Sequence, residues 1–375
     1  MGKILGNTIL IKGEQYTLKG VYMSAKKLFQ KKVDAIEVGN SKSISALLSQ
    51  MGNTGFQGKS LAKVVDVYED MIRDGDVTIL FGYTGSLSTT GQWKIVDWLI
   101  ENRYIDILIP TGANISEDLV DAMGMGYWQG DPNENDELLF SEGVNRYYDV
   151  YGKESDYLEM TEFIAEFIVT LEDGYKYSSR EFLHLFGLWL SQRGIKSIVA
   201  AAAQNGVPIF CPAIADSPYG DAALIAKSRG FNLTIDAIKD YIEFMKLGEG
   251  VKQTGVVYIG GGVPKDFIQL FAVTADLLYQ DRKVPNRPGG NTRKEVGNLE
   301  TYYPHKYAIQ ITTDSPQWGG LSGCTFDEAV SWGKEQPDGR LVQCYCDATI
   351  ALPLITQALS ERVDIKRPGR VFTYI

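Results

Sequence analysis

Apolar, β-branched runs recur along this 375-residue chain with helix-patterned segments between them, and this alternation constrains the fold more than any other feature. The runs are 77–82, 105–109, 197–201, 207–210, 255–259, 307–312 and 341–346. Each is continuously hydrophobic, as expected of strands covered on both faces. Helical periodicity marks 61–71, 93–100, 237–245 and 265–272. Together they predict an α/β, Rossmann-like fold: a largely parallel sheet with helices on both faces. Hydrophobic residues make up 44% of the chain, enough for a sizeable core. No internal repeat and no clear two-domain boundary is visible. We read residues 1–45 as an N-terminal arm and 46–375 as a single α/β domain. Residues 281–300, rich in charge, Pro, Gly and Asn, read as a flexible loop, either a lid or a solvated linker.

In such sheets ligands bind beyond the carboxyl ends of the strands. Turn clusters are expected there at 82–86, 111–114, 260–262 and 347–349. Glycines in these turns let backbone amides approach a phosphate or sugar. The ordinary G-x-G-x-x-G fingerprint after the first strand is absent.

Residues 325–334, Thr-Phe-Asp-Glu-Ala-Val-Ser-Trp-Gly-Lys, set a lysine two positions after an indole and six after a carboxylate. An amine beside an aromatic, apolar surface loses hydration, and the neutral amine is the form that attacks an imine or carbonyl carbon. The same segment also reads as a plain capped helix. Thr325 and Glu328 have capping-box spacing, Gly333 ends the helix, and Lys334 sits at its negative end.

The remaining composition excludes more than it assigns. The net charge of −10 argues against nucleic acid and anionic membranes as partners and suits a polycation. No apolar run reaches the roughly 20 residues that span a bilayer, and the N-terminus lacks a signal-like apolar core, so a soluble cytoplasmic protein is expected. Cys211, Cys324, Cys344 and Cys346 read as reduced, buried thiols. With His184, expected on a helix, and His305, expected in a polar loop, as the only histidines, no metal site is expected.

Segments in one continuous order, within a likeness that runs from about Gly52 to about Leu359, resemble the deoxyhypusine synthase family. They include Gly55-Phe-Gln-Gly, Leu80-Phe-Gly-Tyr-Thr-Gly, Thr111-Gly-Ala-Asn-Ile-Ser-Glu-Asp-Leu, Gly143-Val-Asn-Arg-Tyr-Tyr-Asp-Val, Val207-Pro-Ile-Phe-Cys-Pro-Ala, Gly260-Gly-Gly-Val-Pro-Lys and the Glu328 to Lys334 block. The resemblance implies an NAD-dependent transferase that moves the 4-aminobutyl arm of spermidine to an acceptor amine. It implies Lys334 as the covalent lysine, carrying the arm as an imine. Asp221, Glu328 and Trp332 would hold the polyamine, the indole by cation–π attraction. Thr84, Ser86, Thr111, Glu117, Asp216, Gly261, Gly262, Thr313, Ser322, Asp347 and Ala348 would hold NAD. The simpler structural roles remain: Asp216 in a turn, Glu117 and Asp347 at helix starts. A homotetramer with sites shared between chains is also implied.

The chain departs from the family pattern at two places. Asp266 stands where a proton-transferring histidine is usual, so we assign it a catalytic or cation-binding role. Trp318 and Leu321 occupy positions that are usually acidic in eukaryotic members. These changes resemble a bacterial branch associated with homospermidine. The acceptor is therefore either a lysine of translation initiation factor 5A or a small diamine such as putrescine. The alternatives are a different polyamine donor, or an NAD- and polyamine-binding protein without turnover.

Overall fold

The computed structural model describes residues 4–5, 8–11, 14–17, 31–40, 42–288, 290 and 302–372. Near the N-terminus, β1 (Ile4–Leu5), β2 (Thr8–Ile11) and β3 (Glu14–Thr17) form an antiparallel sheet. The main sheet begins with β4 (Val77–Tyr83) and β5 (Ile107–Pro110). Three short strands, β6 (Tyr127–Gln129), β7 (Val144–Tyr147) and β8 (Val150–Lys153), pair antiparallel, and β9 (Lys176–Tyr177) pairs with β10 (Thr234–Ile235). The main sheet resumes with β11 (Gln253–Ile259), β12 (His305–Thr312) and β13 (Glu335–Tyr345).

The five main strands are all parallel, in the order β13-β12-β11-β4-β5. Successive residues of one strand feed opposite layers. Ile79 and Phe81 join the core beneath the helices Phe56–Arg73 and Trp93–Glu101, while Leu80 joins Phe244, Phe267, Ile268 and Phe271 on the other face. This two-sided burial explains the unbroken apolar runs. Gly82 is required by the helix Gly262–Val273, since a Cβ there would stand 2.8 Å from Ile268 Cδ1. The chain adds β5 on one side of β4 and later adds β11 on the other. That reversal creates a crevice between the carboxyl ends of β4 and β11.

Several local expectations change. Residues 197–201 form no strand; they open the helix Ile198–Asn205, capped by Ser197 accepting from Ala200 N at 3.1 Å and closed by left-handed Gly206. Four consecutive alanines, the best helix formers, outweigh the β-branched start. Residues 207–210 make only a bridge, Leu108 to Ile209, because Pro208 has no N–H to donate and Pro212 follows closely. His305 is not in a polar loop but fully buried as the first residue of β12. Strand β13 starts six residues before its expected position, with a register shift opposite His305 and Tyr307. In the segment 281–300, residues 289 and 291–300 lie outside the described residues, but Val284 and Arg287 are buried rather than solvated.

Candidate active site

Lys334 is placed by a helix ending. Thr325 caps the short helix Phe326–Ser331 by accepting from Glu328 N at 3.1 Å. At the other end Gly333 takes a left-handed φ of 80°, with Gly333 N donating to Val330 O and Lys334 N to Ala329 O. This paired closure is the Schellman arrangement, which glycine makes without strain. The chain then enters β13, and Lys334 O accepts from His305 N at 2.9 Å. The Thr325 cap and the Gly333 stop thus hold, though only the Thr325 half of a capping box forms, and they aim one side chain inward.

The Lys334 side chain is only 12% exposed. Its Nζ donates to Asp266 Oδ1 at 3.3 Å and to Gln269 Oε1 at 3.1 Å, and lies 5.5 Å from the Trp332 ring centroid. Asp266 and Gln269 are one turn apart on the helix Gly262–Val273. Gln269 Nε2 in turn donates to buried Glu335 Oε1 at 3.2 Å. Burial pushes the Glu335 carboxyl up to about 7, partly offset by the Gln269 hydrogen bond and the nearby lysines. Trp332 and Glu328 remain exposed around this covered amine.

Beside it, Lys265 is fully buried and donates to Gln310 Oε1, Leu321 O and Cys324 O at 3.0, 3.0 and 2.9 Å. Burial pushes its ammonium below the ordinary lysine value. Gln310 Nε2 donates to Gly260 O and Ser322 O, and Gln343 Nε2 to Gln310 Oε1 and Cys324 O. This network fastens the segment between β12 and the Phe326–Ser331 helix to the triple glycine. Burial drives His305 down to about 3; its Nδ1 pairs with Thr254 Oγ1 at 2.7 Å.

A cleft of about 640 Å³ opens at the crevice between β4 and β11. Thr84, Ser86, Gly261, Gly262, Thr313, Ser322, Asp347 and Ala348 line it, with Asp314 and Thr349. The three glycines have separate causes. Gly260 (φ 74°) would place a Cβ 2.2 Å from Thr84 Oγ1, and Gly261 one 2.3 Å from Ser322 Cα. Gly262 (φ 60°) starts a helix whose N-terminus has no side-chain cap. Asp347 caps the helix Ala348–Arg362 through Thr349 N, and Asp314 is held below the usual carboxylate range by hydrogen bonds from Ser322 and Ser315 N.

Thr111, Glu117 and Asp216 do not line this cleft. Thr111 Oγ1 accepts from Asn114, whose Oδ1 accepts from Leu87 N, so this turn supports the Thr84–Leu87 rim. The Asp216 loop packs on it: a Cβ at Gly112 would meet Ser217 Oγ at 2.3 Å. Glu117 is buried with Oε2 unpartnered among the described residues, and burial pushes it up to about 7. Asp221 accepts from Tyr157 at 3.3 Å, within a group that includes Glu117, Tyr127 and Tyr147. The structure therefore joins Asp266, Trp332 and Lys334, with Glu328 at the rim, but gives Asp221 different neighbours.

A second cavity, about 510 Å³, opens among Arg103, Arg180, His184 and Arg370, and none of the expected site residues lines it. Among the described residues no cluster of three or more His, Cys, Asp or Glu is arranged for a metal, no helix is long and apolar enough to cross a membrane, and the four cysteines are free. Cys211 and Cys344 are buried, whereas Cys324 and Cys346 are half-buried.

The sequence reading did not single out Gln269, Gln310, Gln343, Lys265 or Glu335. Gln269 had a usable signal, lying three residues after Asp266 on one helical face. Gln310 and Gln343 were polar interruptions in apolar strands.

A five-stranded parallel sheet with a glycine-rich cleft at its switch point defines a Rossmann-like α/β protein, here with a covered lysine beside an indole. The family model for deoxyhypusine synthase matches residues 46–359, and the chain belongs to that family. A protein of Methanosarcina mazei named "Probable deoxyhypusine synthase 2" is 43% identical over 336 residues, covering 89% of this chain and 91% of the relative. One of the same name from Archaeoglobus fulgidus is 43% identical over 309 residues, covering 82% and 95%. A crystal structure from Entamoeba histolytica, provisionally assigned as a deoxyhypusine synthase, shares the fold with a TM-score of 0.58 at 16% identity, covering 90% of this chain and all of that one.

Proposed function

We propose that the chain is a transferase that moves the 4-aminobutyl group of spermidine to an acceptor amine through an imine on Lys334. The observation that carries this is the lysine itself: it is drawn inward against Asp266, Gln269 and Trp332, in a family whose name describes this transfer. These acceptors fix the position of the half-buried amine, which attacks an electrophilic carbon once it is neutral. Exposed Glu328 and Trp332 would receive the ammonium groups of the polyamine at the mouth. Asp266, already paired with Lys334, would hold a cationic nitrogen or receive a proton.

The cleft fits a dinucleotide. It lies at the switch point, offers backbone amides at an uncapped helix N-terminus, and carries hydroxyl and carboxylate groups suited to phosphate and ribose. NAD held by Thr84, Ser86, Gly261, Gly262, Thr313, Ser322, Asp347 and Ala348 would supply the hydride acceptor. Thr111 would brace that rim, while Glu117 and Asp216 would meet the ends of the cofactor from the adjoining turns. Lys334 does not line the cleft, and Asp221 keeps other company. A homotetramer, in which one chain brings its lysine to another's cleft, would unite them.

The test is to incubate the protein with NAD and spermidine, reduce with borohydride, and weigh the peptide carrying Lys334. An aminobutyl adduct, absent from Lys334→Arg, is expected. No adduct, or an undiminished adduct elsewhere in the variant, defeats the proposal. Adding putrescine or translation initiation factor 5A then identifies the acceptor by which one discharges the adduct.

A further inference from the structure

Three polar side chains stand in a row beneath the site: Lys334 Nζ, the Gln269 amide and the Glu335 carboxyl. Gln269 and Glu335 are fully buried, with Glu335 only 1% exposed, and its Oε2 has no partner among the described residues. An ammonium only donates and a carboxylate only accepts. An amide between them has one satisfactory orientation, with Nε2 on Glu335 and Oε1 on Lys334, and that is the orientation observed, at 3.2 and 3.1 Å. Protonating Glu335 removes the constraint. A carboxylic acid can donate to Oε1, and the amide can then turn its N–H toward a neutral amine, which accepts through its lone pair.

We infer that Glu335 is a positioning residue that acts through Gln269: as a carboxylate it holds the amide carbonyl on Lys334 and restrains the amine, and as an acid it releases it. Among the described residues, the other charged or titratable groups around the row include Lys265 and Asp266 on the helix, Tyr258 on β11, His305 on β12 with Arg287 near it, Tyr302 against Gly333, and Cys324 and Glu328 before and within the Phe326–Ser331 helix. Burial keeps His305 near 3 and Tyr258 far above its usual range. Glu335, pushed up to about 7, is left to titrate near neutral pH. This deepens the proposed role of Lys334 but concerns only the reactivity of its amine, so it is tested without turnover.

The experiment labels the intact protein briefly with acetic anhydride across neutral pH and measures acetylation of Lys334 against exposed Lys366 by peptide mass spectrometry. In the wild type the Lys334 to Lys366 ratio is expected to fall by roughly three- to tenfold as Glu335 ionises, the range that one hydrogen bond of ordinary net strength gives. In Glu335→Gln the ratio is expected to stay flat. In Gln269→Met it is also expected to stay flat, because the carboxylate has lost its means of acting. A fall in Gln269→Met equal to that of the wild type would show a direct field effect and overturn the inference, as would a flat wild-type profile. Failure of the spermidine adduct, with this profile intact, would instead count only against the proposed reaction. Should Glu335→Gln not fold, the wild type and Gln269→Met decide the matter alone.

Discussion

Replacing Gly333 by alanine tests whether the helix ending, rather than the lysine alone, builds the site. At φ 80° a residue with a Cβ meets its own carbonyl, costing about 1–2 kcal/mol. The added Cβ would also stand 3.1 Å from Tyr302 Cδ1, closer than ordinary contact, so the ring must shift. A total near 2 kcal/mol corresponds to about a 30-fold bias against the native turn. Because Lys334 N and O are fixed by Ala329 and His305 on either side of the turn, the loss falls on the lysine's aim. Urea unfolding is expected to show the destabilisation, and the borohydride-trapped Lys334 adduct to fall more than global stability does. Gly333→Asn is expected to recover most of both, since asparagine tolerates the left-handed region. Alanine matching the wild type in stability and adduct yield would refute the reasoning. Asparagine as damaging as alanine would place the cost in packing against Tyr302 instead of the backbone.

Lys265→Met leaves Leu321 O without its donor, whereas Gln343 still serves Gln310 and Cys324; a loss of about 1–3 kcal/mol is expected, with faster amide exchange confined to the segment before the Phe326–Ser331 helix. Trp332→Ala is expected to raise KM for spermidine about two- to fivefold with little change in kcat, since a cation–π contact at an exposed ring is worth about 0.5–1 kcal/mol. Burial lifts Glu117 from 4.5 to about 7, so the folded state binds more protons than the unfolded one across that interval. Its contribution is present below pH 4.5 and is lost as pH rises through 7, about 3 kcal/mol in all, so Glu117→Gln is expected to flatten the fall in stability between those values in denaturant titrations. His305 has the opposite sense: held neutral to about 3, it costs stability as pH falls below 6.5, and His305→Asn is expected to lessen that acid-side loss.

The parts of the site that were legible were local. Thr325, Gly333 and Lys334 announced a capped helix with a cation after its stop, because caps depend on neighbours a few residues away. The triple glycine announced a close approach of backbone. The identities of the approaching groups, Thr84 and Ser322, come from other turns and left no trace nearby.

By itself the sequence determined the parallel α/β sheet, since strands buried on both faces must be apolar throughout, and most of its strands and helices follow from that rule. It also marked the amine at 334. The tertiary structure alone decided that His305 would be buried and neutral, and that β11 would enter beside β4 to open the cleft. It alone placed Gln269 and Glu335 beneath Lys334 and Asp221 beside Tyr157. The reason is physical: periodicity and caps are set by interactions within one or two turns of chain, whereas burial, hydrogen-bond partners and strand order arise from contacts between residues tens or hundreds of positions apart.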